Sequence, residues 1–181
     1  MSDIFEKVVG DQDWFKKIVG KIPGFKGYIE RGDRRMSDKI LRENVANQFE
    51  AQYQRISGVQ RDLISQGGLM YIDDLEVSAI KLRQFIDRVR TASYGYAGLF
   101  DAIKIKEDEL ATVYQYDAYL LELEAELARA IDNVEASVGT DGLPAALKHL
   151  TTVAQGSVDA FNKRSDVLKG ISKEALGGNN G

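Results

Sequence analysis

Seven carboxylates stand between Glu107 and Glu126 with no lysine or arginine among them: Glu107, Asp108, Glu109, Asp117, Glu122, Glu124 and Glu126. Asp117 and Glu124 are one heptad apart and so share a face of a helix. Paired acids on one face can hold a divalent cation or exchange protons with a substrate. A run of acids along a helix also serves simply as its solvated side, and that is the expectation here. Five of the eight tyrosines (Tyr94, Tyr96, Tyr114, Tyr116 and Tyr119) fall close to these acids in the chain. They predict an aromatic cluster closing one end of a helical core. The alternative is a small ligand cage lined by Tyr94, Tyr116 and Glu124.

Other chemistry is harder to find. A di-iron site of the four-helix type needs Glu-x-x-His on two helices, but the only histidine is His149 and position 146 is alanine. Without cysteine there is no thiolate nucleophile, disulfide or thiolate zinc site. Gly20-Lys21 has the look of the end of a phosphate loop, yet Ile22 follows where Ser or Thr is required, and Phe15 stands where the first glycine belongs. Neither Gly-x-Ser-x-Gly nor Gly-x-Gly-x-x-Gly occurs. The chain is therefore expected to use no cofactor or metal and to be a binding protein and not an enzyme.

The charge layout is the more informative signal. From Lys16 to Arg35 there are seven bases, Lys16, Lys17, Lys21, Lys26, Arg31, Arg34 and Arg35, against Glu30 and Asp33. This stretch is +5 within a chain of net charge -4. Trp14, Phe15, Ile18 and Phe25 alternate with the bases, the composition of a helix that lies at an anionic interface. Trp14, Phe15 and Ile18 would be apolar anchors, and the lysines would steer. The same composition suits a helix packed on its own bundle or docked on a protein partner or second copy. Nucleic acid is not expected: the remainder of the chain is acidic, and the basic stretch lacks the layout of a recognition helix.

Long helices must carry these groups. Leu75, Leu82, Val89 and Tyr96 form one row at seven-residue spacing, and Ala79, Ile86, Ser93 and Phe100 form a second. Such rows lie on one side of a helix, which must bury them against other helices. Similar stripes run through Ile40 or Leu41, Val45, Phe49, Tyr53, Ile56, Val59 and Leu63; through Val113, Tyr116, Leu120, Leu123, Leu127, Ile131, Val134 and Val138; and through Leu143, Leu147, Leu150, Ala154, Val158, Phe161 and Leu168. Gly67-Gly68 and Gly139 to Gly142 punctuate them, and Asp73 with Glu76 fits a capping box. Mid-helix Gly58 and Gly156 suggest close helix approach or a slight bend, with a groove or small pocket at mid-bundle as the alternative.

The sequence thus predicts an all-α, up-down-up-down four-helix bundle of long antiparallel helices with an N-terminal amphipathic helix. Residues 1–33 would form that helix and a hinge at Pro23-Gly24, residues 34–172 the bundle, and residues 173–181 a flexible tail. No apolar run spans a bilayer and no secretory signal is visible, which points to a cytoplasmic protein, free or peripheral to a membrane. Its partner would be an anionic membrane surface or a protein, and self-assembly through an exposed helical seam is the alternative.

Overall fold

In a computed structural model, which describes residues 14–92 and 107–177, six α-helices follow one another. They are α1 (Trp14–Lys21), α2 (Phe25–Glu30), α3 (Arg34–Ser65), α4 (Ile72–Thr91), α5 (Glu107–Ser137) and α6 (Leu143–Gly177), with a 3₁₀ turn at Leu69–Tyr71. The four long helices pack antiparallel in the cyclic order α3, α4, α6, α5. Helices α1 and α2 form a short appendage: α1 lies along α5 and α2 returns to the start of α3.

Local chemistry sets the helix ends. Asp33 caps α3 by accepting the Met36 N–H at 3.0 Å. At the other end, Gly67 takes a left-handed φ of 77°. The Gly68 N–H then reaches the Leu63 carbonyl at 2.7 Å and the Gly67 N–H reaches Ile64 at 3.3 Å, the paired bonds of a Schellman ending. Helix α4 departs from expectation. It grows directly out of the 3₁₀ turn, with Tyr71 at the cap position and no side-chain cap bond. Asp73 is already inside the first turn, where its charge favours the positive end of the helix dipole.

The predicted stripes meet in one core. Leu75, Leu82, Ile86 and Val89 of α4 are buried, but Ala79 is only half-buried, and Ser78 and Phe85 take the inner positions beside them. The inner face of α4 is thus turned slightly from the two rows read in the sequence. Phe85 accounts for the turn: its ring lies 4.4 Å from that of Phe49 and 6.0 Å from that of Phe161. Ser78 is tolerated there because its hydroxyl bonds that of Thr151 at 2.8 Å. Tyr96, Ser93 and Phe100 lie outside the described residues.

Two further expectations need revision. The stretch read as a hinge contains α2, and Phe25 within it is fully buried. Gly24 makes this possible: its φ of 85° turns the chain sharply after Pro23 so that Phe25 can face inward. Helix α6 also runs on to Gly177, beyond the predicted boundary at 172, because no breaker intervenes before the terminal glycines.

Gly156 does not mark a close helix contact. A Cβ built there meets nothing within 4 Å, and the residue borders a surface groove between α4 and α6. Gly156→Ala should therefore stabilise the protein by about 0.5–1 kcal/mol through helix propensity and reduced unfolded-state freedom. Urea unfolding followed by circular dichroism is the measurement; a destabilised variant would mean that the backbone there needs glycine.

Candidate functional site

The N-terminal appendage divides its residues cleanly. Ile18 and Phe25 are fully buried, and Trp14 and Phe15 are half-buried against the core. The Trp14 ring stacks on Tyr114 of α5 at 5.6 Å, and Phe25 meets the same tyrosine edge-on at 5.4 Å. Phe15 bridges them, 5.8 Å from Trp14 and 6.2 Å from Phe25. The apolar groups predicted to anchor an external surface are instead anchored internally, because burying four aromatic rings together outweighs leaving them in water.

The bases are left on the outside. Lys16, Lys21, Lys26, Arg31 and Arg35 are exposed, and Lys17 and Arg34 are half-buried. Several are tethered locally. Lys21 donates its Nζ hydrogen to the Leu121 carbonyl at 3.3 Å. Lys26 pairs with Glu30 at 3.7 Å, and the Arg31 guanidinium sits 4.7 Å over the ring of Tyr28. The structure therefore brings the predicted site residues into one unit but separates their functions: aromatic and aliphatic groups hold the unit down, and cationic groups form its outer face.

Beneath this unit lies a constellation absent from the sequence expectations. Arg164 of α6 donates from Nε to Asp117 Oδ1 at 2.7 Å and from Nη2 to Asp117 Oδ2 at 3.2 Å. The same Nη2 reaches Asp38 Oδ1 of α3 at 2.6 Å. Asp38 Oδ2 accepts from Arg42 Nε at 2.7 Å, and Arg42 Nη1 donates to the carbonyl oxygens of Val89 and Arg90 at 3.1 and 3.5 Å. These four side chains are between 1% and 5% exposed. Their charges cancel, and the last link reaches the backbone carbonyls at the end of α4. The layer thus ties all four long helices together.

Burial pushes the Asp117 carboxyl up to about 6, against the pull of Arg164. Burial, and then the charges of Asp38 and Asp117, raise the Tyr114 hydroxyl well above the ordinary tyrosine range. That hydroxyl finds no hydrogen-bond partner among the described residues. A perturbed carboxyl can mark catalysis, but these groups lie where a solute does not reach them, and their geometry is that of a structural ion cluster.

Asp117 is accordingly not on a solvated face, a correction to the reading of the acidic helix. It sits on the apolar stripe between Val113 and Leu120, whereas Glu124 lies beside the core and accepts from Gln52 Nε2 at 2.9 Å. Asp38, Arg42 and Arg164 belong to no sequence motif. Each had a signal: a charge on a buried stripe, Arg164 standing between Phe161 and Leu168 and Asp38 and Arg42 flanking Leu41. Tyr116, proposed as part of a ligand cage, is buried, and Tyr94 lies outside the described residues. Among the described residues no group of three or more His, Cys, Asp and Glu side chains is disposed to hold a metal ion. None of their helices is long and apolar enough to cross a membrane. Comparison with protein-family models, with curated proteins and with solved structures gives no match to this chain.

Proposed function

We propose that this four-helix protein is a non-enzymatic binding module whose N-terminal appendage docks on an anionic membrane surface. The observation that carries this reading is the cationic exterior of α1, α2 and the start of α3, where Lys16, Lys26, Arg31 and Arg35 are exposed and Lys17 is half-buried while the aromatic rings pack against the core. With its aromatic groups committed to the core, the unit meets the headgroup layer by charge and without deep insertion. Such contact strengthens with anionic lipid and weakens with salt. An acidic protein surface offers the same attraction and is the competing partner.

Each base near an anionic membrane contributes about 1 kcal/mol. Lys16→Glu/Lys17→Glu/Lys26→Glu should then weaken vesicle association at least about 100-fold. Co-sedimentation of the full chain with phosphatidylserine-containing and neutral phosphatidylcholine vesicles, at low and high salt, provides the check. Undiminished binding by the triple variant, or no preference for anionic vesicles, would sink the membrane reading. A second reading, self-assembly, is favoured by the exposure of Val77 and Ile80 on a different helix.

A further inference from the structure

We infer that the outer face of α4 is a self-complementary surface on which a second copy of this chain packs, its α4 antiparallel to the first.

Helix α4 turns two faces to different environments. The inner one is core. The outer one has its own seven-residue pattern: Val77 and Gln84 form one row, and Asp73, Ile80 and Asp87 form the other, all of them exposed. Val77 and Ile80 are 45% and 57% exposed and make an apolar step in the middle of this face. A groove of about 810 Å³ lies on the α6 side of the step, lined in part by Asp74, Val77, Lys81 and Gln155. A groove of about 430 Å³ lies on the α3 side, lined in part by Tyr53, Glu76, Ile80 and Arg83. The step is thus a ridge between two furrows, the relief that a packing helix requires.

The charges beside the ridge identify the occupant. An antiparallel pair of helices brings alternate seam rows face to face. With a two-fold axis between Ser78 and Ala79, Val77 meets the partner's Ile80, and Ile80 meets the partner's Val77. Asp73 then faces the partner's Gln84. On the α3 side, Glu76 flanks the partner's Arg83; on the α6 side, Asp74 flanks the partner's Lys81. By symmetry each of these pairs occurs twice, and each is attractive. The parallel alternative sets Asp73 against the partner's Asp73 and Asp87 against the partner's Asp87, which is repulsive in both layers.

The basic members are already positioned by their own bundle. Arg83 is held by Glu50 at 2.7 and 3.0 Å and lies 4.3 Å over the Tyr53 ring. Lys81 donates to Gln155 Oε1 at 2.6 Å. Arriving acids therefore meet charges whose side-chain freedom is already reduced. The small apolar step, rimmed by charge, suits a reversible, salt-sensitive association and not an obligate one.

A charge swap tests this. In sedimentation equilibrium of the full chain over a concentration series reaching about 1 mM, the wild type should form dimers, more weakly as salt rises. Asp74→Lys places like charges at both Asp74–Lys81 positions and should weaken dimerisation by roughly 10-fold or more. Adding Lys81→Glu to the same chain inverts both members of the pair and should restore it. Ile80→Asp, at an exposed site that leaves the core intact, should also give monomers. A monomeric wild type at every concentration overturns the inference, as does dimerisation unchanged by Asp74→Lys or Ile80→Asp. Failure of the double variant to recover while Asp74→Lys dissociates the dimer would overturn the antiparallel register. Vesicle binding by the N-terminal appendage is independent of all these outcomes.

Discussion

Arg164→Met should lower the free energy of unfolding by about 3–5 kcal/mol, although methionine has nearly the length to fill the space. The loss comes from what is left behind. Asp117 is buried and takes both of its ion-pair hydrogen bonds from Arg164, whereas Asp38 keeps its bond to Arg42. A carboxylate stranded in the interior must either bear the full cost of desolvation or take up a proton. The pH dependence carries the sign of this argument. Asp117 titrates near 6 in the folded protein against an ordinary 3.8. A raised carboxyl favours the fold in full below its unfolded value and loses that contribution as the pH rises through its folded value. Without Arg164 the folded value climbs further and the loss continues to higher pH. The deficit of the variant should therefore be smaller at about pH 5 than at about pH 8. Replacing both partners, Asp117→Leu with Arg164→Met, removes the stranded charge and should recover more than half of the deficit, since paired substitutions in a shared network are strongly non-additive. Urea unfolding at the two pH values measures all three proteins. A deficit that does not change with pH, or a double variant no better than the single one, would show that the ion layer is not what holds this part of the core.

Phe85→Ala should cost about 3–5 kcal/mol, the usual range for an aromatic ring removed from a packed core. Phe85 lies between Phe49 of α3 and Phe161 of α6 and is 1% exposed, so its deletion empties space against two helices at once. Neither neighbouring ring can swing in without leaving its own packing. Phe85→Leu keeps much of the volume and should cost roughly 1–2 kcal/mol. In a chain of this size the alanine variant should melt roughly 10 °C below the wild type. Calorimetry would show it; a shift of a degree or two would mean that the Phe85 ring is not what anchors α4 between α3 and α6.

The fold was legible because apolar residues at three- and four-residue spacing leave a helix one way to hide them. Leu41, Phe49, Leu63, Leu82, Leu127 and Leu147 all face inward as their spacing requires. What the spacing did not give was rotation within a stripe. Ala79 and Phe85 both lie near the edge of the α4 face, and the larger ring, which has more to gain from burial, turns inward. The N-terminal segment was ambiguous for a related reason. Trp14, Phe15 and Ile18 have the composition of a membrane anchor and of a core element alike, and the rings they meet, Phe25 and Tyr114, lie elsewhere in the chain. The ion cluster was hidden because its members are far apart in the chain: Asp38 and Arg164 meet across 126 positions. A charge on an apolar stripe is the trace it leaves, but the pairing depends on the level at which each helix crosses the bundle.

The stack of Trp14 on Tyr114 has a practical consequence. The chain contains a single tryptophan, and it sits at the joint between the appendage and the bundle. Its fluorescence therefore reports one event, the seating of α1 on α5, while circular dichroism follows the helices as a whole. Lifting the appendage would carry the indole into water and shift its emission to the red, with the helical signal almost unchanged. The molecule thus carries an intrinsic optical probe able to tell whether a charged surface captures the N-terminal unit in place or peels it away.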